Sequence, residues 1–504
     1  MELKIYRDTA LLQENVCDSK LELPLETEIL IPDYLPPVFK IVKTLVHRVV
    51  LQKQLQAGRL QLEGYFRIEV LYQGEDQNLC TVEQKVAFSR QQDVKGAEQA
   101  GDCRIHLTGE TQYVNCRALS PRRLDLRGAY DLRVQATCEA PHEIITALSE
   151  NGIRQKNCPI PVLHVYATRE KQFTLEEDTG LEQAPEAVLR VQATAEAAEV
   201  RIVAGKAVAK GQINADILYR NAGGFQLLHR TVTLPFQQVL ELEDAKEGCE
   251  CQMRARVVGS SVFGDSAENG QTRLSCTCLL TVVAMQRTEL FGVADCFSTQ
   301  MQTETAYQTL TTETLLETVS NTVDVQTEGK LPDDSLQVLE CFAECLAPEL
   351  LTEKEKTAIR GRAMVHLICK NALGEIECYD KTCEYFLPRQ YEAPVEELTA
   401  ELDAECKSIT FSQKDSSARA ELRVAVSGHL CRKVRNRLVE SVECTQPLED
   451  DTTVALRVYY AEKGEAVFDI AGRYHAAPEE IASLAGIEGE ELTAATRLLI
   501  PQTR

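Results

Sequence analysis

Alternation of apolar and polar residues dominates roughly the first 450 positions of the chain. Residues 62–72 are apolar at most even positions, and segments of the same kind begin near Gly211 and Gly361. A period of two places alternate side chains on one face of a strand, so each segment predicts a half-buried β-strand. Each is followed by a turn rich in Gly or Asn, at 74–76, 221–224 and 371–374. Such turns supply the positive φ that hairpins need, so the pattern predicts three hairpins.

The hairpins belong to a longer unit that recurs about every 150 residues. The second strand of each hairpin reaches a phenylalanine in nearly the same register, at Phe88, Phe236 and Phe386. Further alternating strands follow around 124–134, 274–280 and 420–426. These observations predict three tandem antiparallel β-sandwich-like repeats at 1–140, 141–290 and 291–448. One short helix per repeat is considered after the prolines Pro37, Pro185 and Pro332.

Residues 449–504 have a different pattern. Apolar side chains at i, i+3, i+4 and i+7 predict one helical face, formed by Val467, Ile470, Ala471 and Tyr474. Pro478 suits the first position of a second helix, in which Ile481 and Leu484 continue an apolar stripe. Alternating segments flank the helices, so this part of the chain predicts a small βααβ domain.

Composition narrows the classes of function. The chain has 504 residues and a formal charge of −23, with 54 Lys and Arg against 77 Asp and Glu. This charge disfavours nucleic acid and anionic membranes as partners. The sequence has no apolar stretch of signal-peptide length, and no window approaches the ~18 apolar residues of a membrane span. The expectation is therefore a cytoplasmic protein without direct membrane insertion.

The 19 cysteines are expected to be free thiols that act as small core residues. Cys249 and Cys251, and likewise Cys276 and Cys278, are spaced to share a strand face. Neighbouring strands could join the four sulfurs around a metal, but zinc ligands are usually spaced more widely and in turns. We therefore favour core packing for these cysteines and expect no metal ligands in the chain.

Catalytic signatures are missing from the sequence. The eight histidines are scattered without a metal-binding spacing, and no phosphate-binding loop is present. Glu397, Glu401 and Glu405 are interpreted as a solvated helical face rather than as a general acid and base. The chain is therefore expected to be no enzyme, with no catalytic residue and no cofactor.

The order and spacing of the last 56 residues resemble a LysM domain, a family that binds glycans and sometimes proteins. LysM domains usually carry Gly-Asp-Thr or Gly-Asp-Ser after the first strand, where this chain has Gly464-Glu465-Ala466. The usual Asn near the end of the second helix is replaced by Ala485. The polar groups that contact N-acetyl sugars are therefore missing, and the resemblance implies a protein ligand with glycan binding unlikely.

Three β repeats followed by a LysM-like domain resemble the SipL type of spore coat morphogenetic protein, which has tandem SPOCS domains. The resemblance implies a scaffold in the mother-cell cytoplasm, at the forespore surface. It also implies that the LysM-like domain binds the coat-basement ATPase, stage IV sporulation protein A. The alternative is a protein that binds peptidoglycan or cortex glycan. The loops beside the two helices carry the expected partner-binding residues, Lys463, Gly464, Glu465, Phe468, Ile487 and Gly489.

Overall fold

The computed structural model describes residues 3–98, 103–181, 185–221, 226–242, 245, 248–264, 272–353, 356–391, 394–448 and 456–501. Antiparallel strands make up most of these residues, and the two α-helices lie near the C-terminus. The predicted mainly-β fold is confirmed. Among the described residues, no helix has the length and apolarity needed to cross a membrane.

Unit 1 contains two three-stranded sheets packed face to face. Its strands are β1 (Lys4–Leu30), β2 (Val38–Gln56), β3 (Arg59–Gly74), β4 (Leu79–Asp93), β5 (Cys103–Ser120) and β6 (Arg123–Ser149). One sheet has the order β1-β6-β5 and the other the order β2-β3-β4. Alternate residues from each sheet, such as Phe66 and Leu126, are fully buried in one shared core. Burial of one face explains the alternation of the sequence.

Unit 2 repeats this arrangement with the sheets β7-β12-β11 and β8-β9-β10. Its strands are β7 (Ile153–Asp178), β8 (Ala187–Val203), β9 (Lys206–Arg220), β10 (Leu228–Glu241), β11 (Glu250–Gly264) and β12 (Thr272–Ser298).

Unit 3 has the same order except for one split strand. It contains β13 (Met301–Lys330), β14 (Gln337–Cys345), β15 (Glu349–Glu353), β16 (Lys356–Lys370), β17 (Ile376–Arg389), a 3₁₀ turn (Val395–Glu397), β18 (Leu398–Lys414) and β19 (Ser417–Pro447). β14 and β15 both pair with β16, whose other neighbour is β17. Together they take the place of β2 and β8.

The strands run through two of the predicted domain limits. β6 continues past position 140 to Ser149, and β12 continues past position 290 to Ser298. The division at 140 and 290 stays a prediction, but each position lies within a continuous strand. The helices considered after Pro37, Pro185 and Pro332 are wrong, because β2, β8 and β14 begin in those segments.

Each hairpin has an aromatic ring packed over a strand glycine. Gly64 pairs with Phe88 and Gly211 with Phe236, while Gly361 pairs with Tyr385. A Cβ atom added to Gly361 would lie 2.0 Å from the Tyr385 ring, so only glycine fits beneath it. The predicted Phe386 is therefore one residue out of register, and its side chain is 49% exposed.

The three units close into a ring. Leu71, Leu218 and Ile368 occupy the same position in β3, β9 and β16, and all three are buried in one central cluster. β4 packs against β8, and β17 packs against β2. His229 of β10 contacts Glu340 of β14 across the third junction. Each unit therefore contacts both of the others through the sheet that contains its hairpin, which we call the hairpin sheet and which is β2-β3-β4 in unit 1.

The C-terminal module consists of β20 (Leu456–Ala461), α1 (Val467–Tyr474), α2 (Pro478–Ala485) and β21 (Thr496–Pro501). This is the predicted strand–helix–helix–strand order. Val467, Ile470 and Ala471 form the buried face of α1. α2 begins at a proline and is capped by Gly486, whose φ of 66° suits glycine.

Candidate functional site

The two loops expected to contact a partner are joined by backbone hydrogen bonds. Gly464 N donates to Leu492 O at 2.8 Å, and Leu492 N donates to Glu465 O at 3.0 Å. The β20–α1 loop and the α2–β21 loop therefore lie side by side. Lys463, Gly464 and Gly489 are exposed on them. The structure thus places these predicted residues on adjoining loops at one end of the module.

The Glu465 carboxylate is used inside its own loop. It accepts hydrogen bonds from Glu462 N and the Tyr459 hydroxyl, each at 2.9 Å, and from Arg473 Nη1 at 3.4 Å. The backbone N–H of Glu462 and the Tyr459 hydroxyl lower the pKa of Glu465. Glu465 therefore closes the loop in which LysM domains usually carry Asp followed by Thr or Ser.

Phe468 contacts unit 2. Its ring centroid lies 5.1 Å from that of Phe297, near the end of β12, in an edge-on arrangement. A Cβ atom on Gly472 would lie 3.3 Å from the same Phe297 ring. The half-buried Phe468 side chain thus takes part in docking the module onto the ring, which the sequence could not indicate.

Ile487 stabilises the end of α2. Its backbone N–H donates to Ala482 O at 3.0 Å, after Gly486 has turned the chain. The side chain is half-buried and packs against the core of the module. Such a contact commonly follows a glycine cap. The role of Ile487 in partner binding stays a prediction, and any test must separate it from this packing role.

A polar cleft of about 580 Å³ lies between units 1 and 3. At its wall, Arg104 Nη2 lies 2.9 Å from Glu401 Oε1. Burial opposes ionisation of Glu401, but the charges of Arg104 and His429 outweigh it and hold its pKa at about 2. Glu401 and Glu405 lie in β18, so the interpretation of a solvated helical face is wrong. Leu402 and Cys406 are buried in the core of unit 3 and Ala400 and Ala404 pack against it, so alternate residues share one face, as in a strand.

Charged groups that the sequence did not reveal occupy the three unit junctions. In each unit a β-bulge lies in the strand that precedes the hairpin, which is β2, β8 or β14. It directs a charged residue toward the preceding unit of the ring. We call these clusters the junction groups, and they are Arg190–Glu69–His47, Glu340–His229–Asp216 and Lys43–Asp380–His366. One sequence pattern could have revealed these groups. An apolar residue followed by a charged residue recurs at the same place in each unit, as Val42-Lys43, Leu189-Arg190 and Leu339-Glu340.

The junction between units 2 and 3 holds a charged histidine. His229 Nδ1 lies 2.8 Å from Asp216 Oδ2, and its Nε2 lies 3.0 Å from Glu340 Oε2. Hydrogen bonds to Asp216 and Glu340 raise the pKa of His229 to about 10. The imidazolium therefore bridges carboxylates of two units at neutral pH.

The cysteines differ from expectation at one pair. Cys103 and Cys138 lie directly opposite each other on β5 and β6 and form a disulfide, whereas the remaining 17 are free. The expectation of 19 free thiols is therefore wrong. On β11 and β12, Cys251 pairs with Ala284 and Cys278 with Val257, so the two cysteine pairs are out of register. Their thiols cannot converge on one metal.

Comparison with known proteins identifies the repeat. A model of the family described as SipL, SPOCS domain matches residues 37–119 and 185–262. These segments cover β2–β4 with most of β5 in unit 1, and β8–β10 with most of β11 in unit 2. No curated protein and no solved structure gives a significant match.

Proposed function

We propose that this chain, in which two segments match the SPOCS domain of the SipL family, is a non-enzymatic scaffold in assembly of the endospore coat. The SPOCS domain relates it to the spore coat. In the proposal, the ring of three units holds the C-terminal module, and the module binds the coat-basement ATPase, stage IV sporulation protein A. The protein would act in the mother-cell cytoplasm, at the forespore surface.

The paired loops of the module carry this proposal. They present exposed backbone and the Lys463 side chain beside each other, joined by the hydrogen bonds of Gly464 and Leu492. Glu465 is already engaged by Tyr459 and Arg473, so its carboxylate is poorly placed to hold a sugar. A protein surface is the ligand that best suits such a loop pair.

A scaffold also suits the polar groups of the ring. Arg104 pairs with Glu401 across the junction of units 1 and 3, and His229 bridges units 2 and 3. These charges hold units together, whereas a general acid or base must be free to exchange a proton with a substrate. The proposal therefore includes no reaction and no cofactor that takes part in one.

The test is co-purification of the full chain with the ATPase. Lys463→Glu and Gly489→Glu should each weaken binding by at least tenfold, because the first reverses a charge on the loop pair and the second adds a negative charge to it. A Cβ on Gly489 would have only an ordinary contact, 3.7 Å from Glu491 O, so this variant should fold. Glu480→Lys, on the exposed surface of α2, is the matched control and should bind normally.

Unchanged binding by both loop variants would exclude this surface. Ile487→Glu should also lose binding, and unfolding of that variant must be measured because Ile487 packs against the module core. Micromolar binding of N-acetylglucosamine oligomers to the unmodified chain would instead support the glycan alternative.

A further inference from the structure

Three chemically different ligand groups meet on the neighbouring strands β16 and β17 of unit 3. The closest potential ligand atoms of His366, Cys378 and Asp380 all lie within 4.8 Å of one another. His366 Nδ1 is 2.7 Å from Asp380 Oδ1, and Cys378 Sγ is 3.4 Å from the same oxygen. We propose that these three residues bind one Zn²⁺ ion at the junction of units 3 and 1.

The donor set suits zinc. Imidazole nitrogen, thiolate sulfur and carboxylate oxygen are the three ligand types that Zn²⁺ accepts in proteins. Three protein ligands leave a fourth tetrahedral position for water. The Asp380 side chain is 42% exposed, so an ion can reach the group from solvent, while His366 is almost completely buried and fixed in place.

The groups that would orient these ligands are already present. Lys43 Nζ of unit 1 lies 2.5 Å from Asp380 Oδ2, which leaves Oδ1 directed at His366 and Cys378. On the other side of the imidazole, Glu344 Oε2 lies 3.5 Å from His366 Nε2. A carboxylate on the second ring nitrogen is the usual partner of a zinc-binding histidine, because it fixes the tautomer.

The other two junction groups do not offer this donor set. Cys378 lies opposite Ile368 on β16, and the corresponding positions opposite Leu71 and Leu218 are Thr81 and His229. The thiol is therefore specific to the junction of units 3 and 1. The sequence hides the site because His366 is on one strand and Cys378 and Asp380 are on its neighbour, with no short metal-binding spacing.

Zinc at this position would stabilise the unit 3 side of the junction between units 3 and 1. The ion would be held by β16 and β17 of unit 3, and Asp380 would keep its contact with Lys43 of unit 1. This role is structural and compatible with a scaffold. It departs from the sequence-based expectation of no metal, which rested on the spacing of the histidines and of the cysteine pairs of unit 2.

The test is titration of the reduced, chelator-treated full chain, without a histidine tag, with Co²⁺ as a spectroscopic substitute for Zn²⁺. We expect saturation at one equivalent with a thiolate-to-cobalt charge-transfer band, and displacement by one equivalent of Zn²⁺. Cys378→Ser should abolish the band. Cys444→Ser, which removes another half-buried unit 3 thiol, should keep it.

Lys43→Met gives an independent measurement, since loss of an orienting group lowers metal affinity by about 10–100-fold. Either of two results would overturn the proposal: no stoichiometric binding at micromolar metal, or a charge-transfer band that is the same in Cys378→Ser. Folding of each variant is checked by circular dichroism before titration.

Discussion

The three β units and the C-terminal module are attached to their neighbours in different ways. The units share a central cluster that includes Leu71, Leu218 and Phe342, and each junction adds a charged group. The module contacts the ring through the Phe297–Phe468 pair, a 2.9 Å hydrogen bond between His475 Nδ1 and the Ser298 carbonyl oxygen, and the ion pair of Arg154 with Glu479 at 3.5 Å. The ring is therefore held at several buried points and the module at a small contact.

This difference indicates two levels of stability. Opening the ring would expose apolar surface from all three units at once, so loss of one junction should be coupled to loss of the others. Releasing the module would expose mainly the surface around Phe297. We expect the module to detach at lower free energy than the units separate.

The largest expected effect is on the central cluster. Phe342 is 1% exposed, and the Arg190 guanidinium lies 3.9 Å above its ring. Phe342→Ala should lower the free energy of unfolding by about 3–5 kcal/mol, because it leaves a cavity shared by the units. Chemical denaturation measures this. Leu373→Ala, at a residue that is 85% exposed, should change the value by less than about 0.5 kcal/mol.

A glycine substitution should have the next largest effect. A Cβ at Gly211 would lie 2.3 Å from Glu196 O and 2.5 Å from the Phe236 ring, so Gly211→Ala forces the sheet apart. The expected loss is about 1–3 kcal/mol of unfolding free energy. Gly259→Ala is the matched control, since its nearest contact, Thr277 Cβ, is 3.9 Å away. Equal stability of the two variants would contradict the close packing of the ring over Gly211.

The contact between the module and the ring should contribute less to stability than either of these two sites. A double-mutant cycle with Phe297→Ala and Phe468→Ala is expected to give a coupling energy of about 0.5–1.5 kcal/mol. Hydrogen exchange should show faster exchange across α1 in both single variants and unchanged protection of β9. Loss of protection in β9 would mean that the module and the ring unfold as one unit.

The smallest expected effect is pH-dependent and concerns His229. Its pKa is raised to about 10, so the stabilising charge is fully present below the ordinary value of 6.5 and is lost as pH rises through about 10. The unmodified chain should therefore lose more stability between neutral pH and pH ~10 than His229→Gln does. Equal slopes of unfolding free energy against pH would show that the imidazolium does not hold units 2 and 3 together.

The sequence predicted features that depend on local periodicity. Alternation correctly indicated the hairpins, and helical spacing indicated α1 and α2. The register of Tyr385 over Gly361 was missed because adjacent aromatic residues occupy both faces of β17, and only the strand pairing selects one. Ala400 and Leu402 both face the core of unit 3, which explains why Glu401 between them lies in a strand, although its spacing from Glu397 suggests a helix.

Features that depend on the closed ring were beyond the sequence. Lys43 meets Asp380 only because the ring closes and brings β17 of unit 3 beside β2 of unit 1. The docking of Phe468 on Phe297 likewise joins residues that no periodicity relates. Of the predicted contact residues, the sequence could place Lys463, Gly464 and Gly489 on loops, but it could not show that the loops pair.

The length of β12 lets one strand contact two distant parts of the molecule. Leu274 near its start is buried against the hairpin sheet of unit 2, and Phe297 near its end touches the module. A strand of 27 residues spans up to about 90 Å when extended. The same strand thus acts as a spacer that anchors in one sheet and carries the module at its far end. Near that end, Val293 is buried with Ile145 of unit 1 and Val439 of unit 3, so a load applied to the module would reach all three units together.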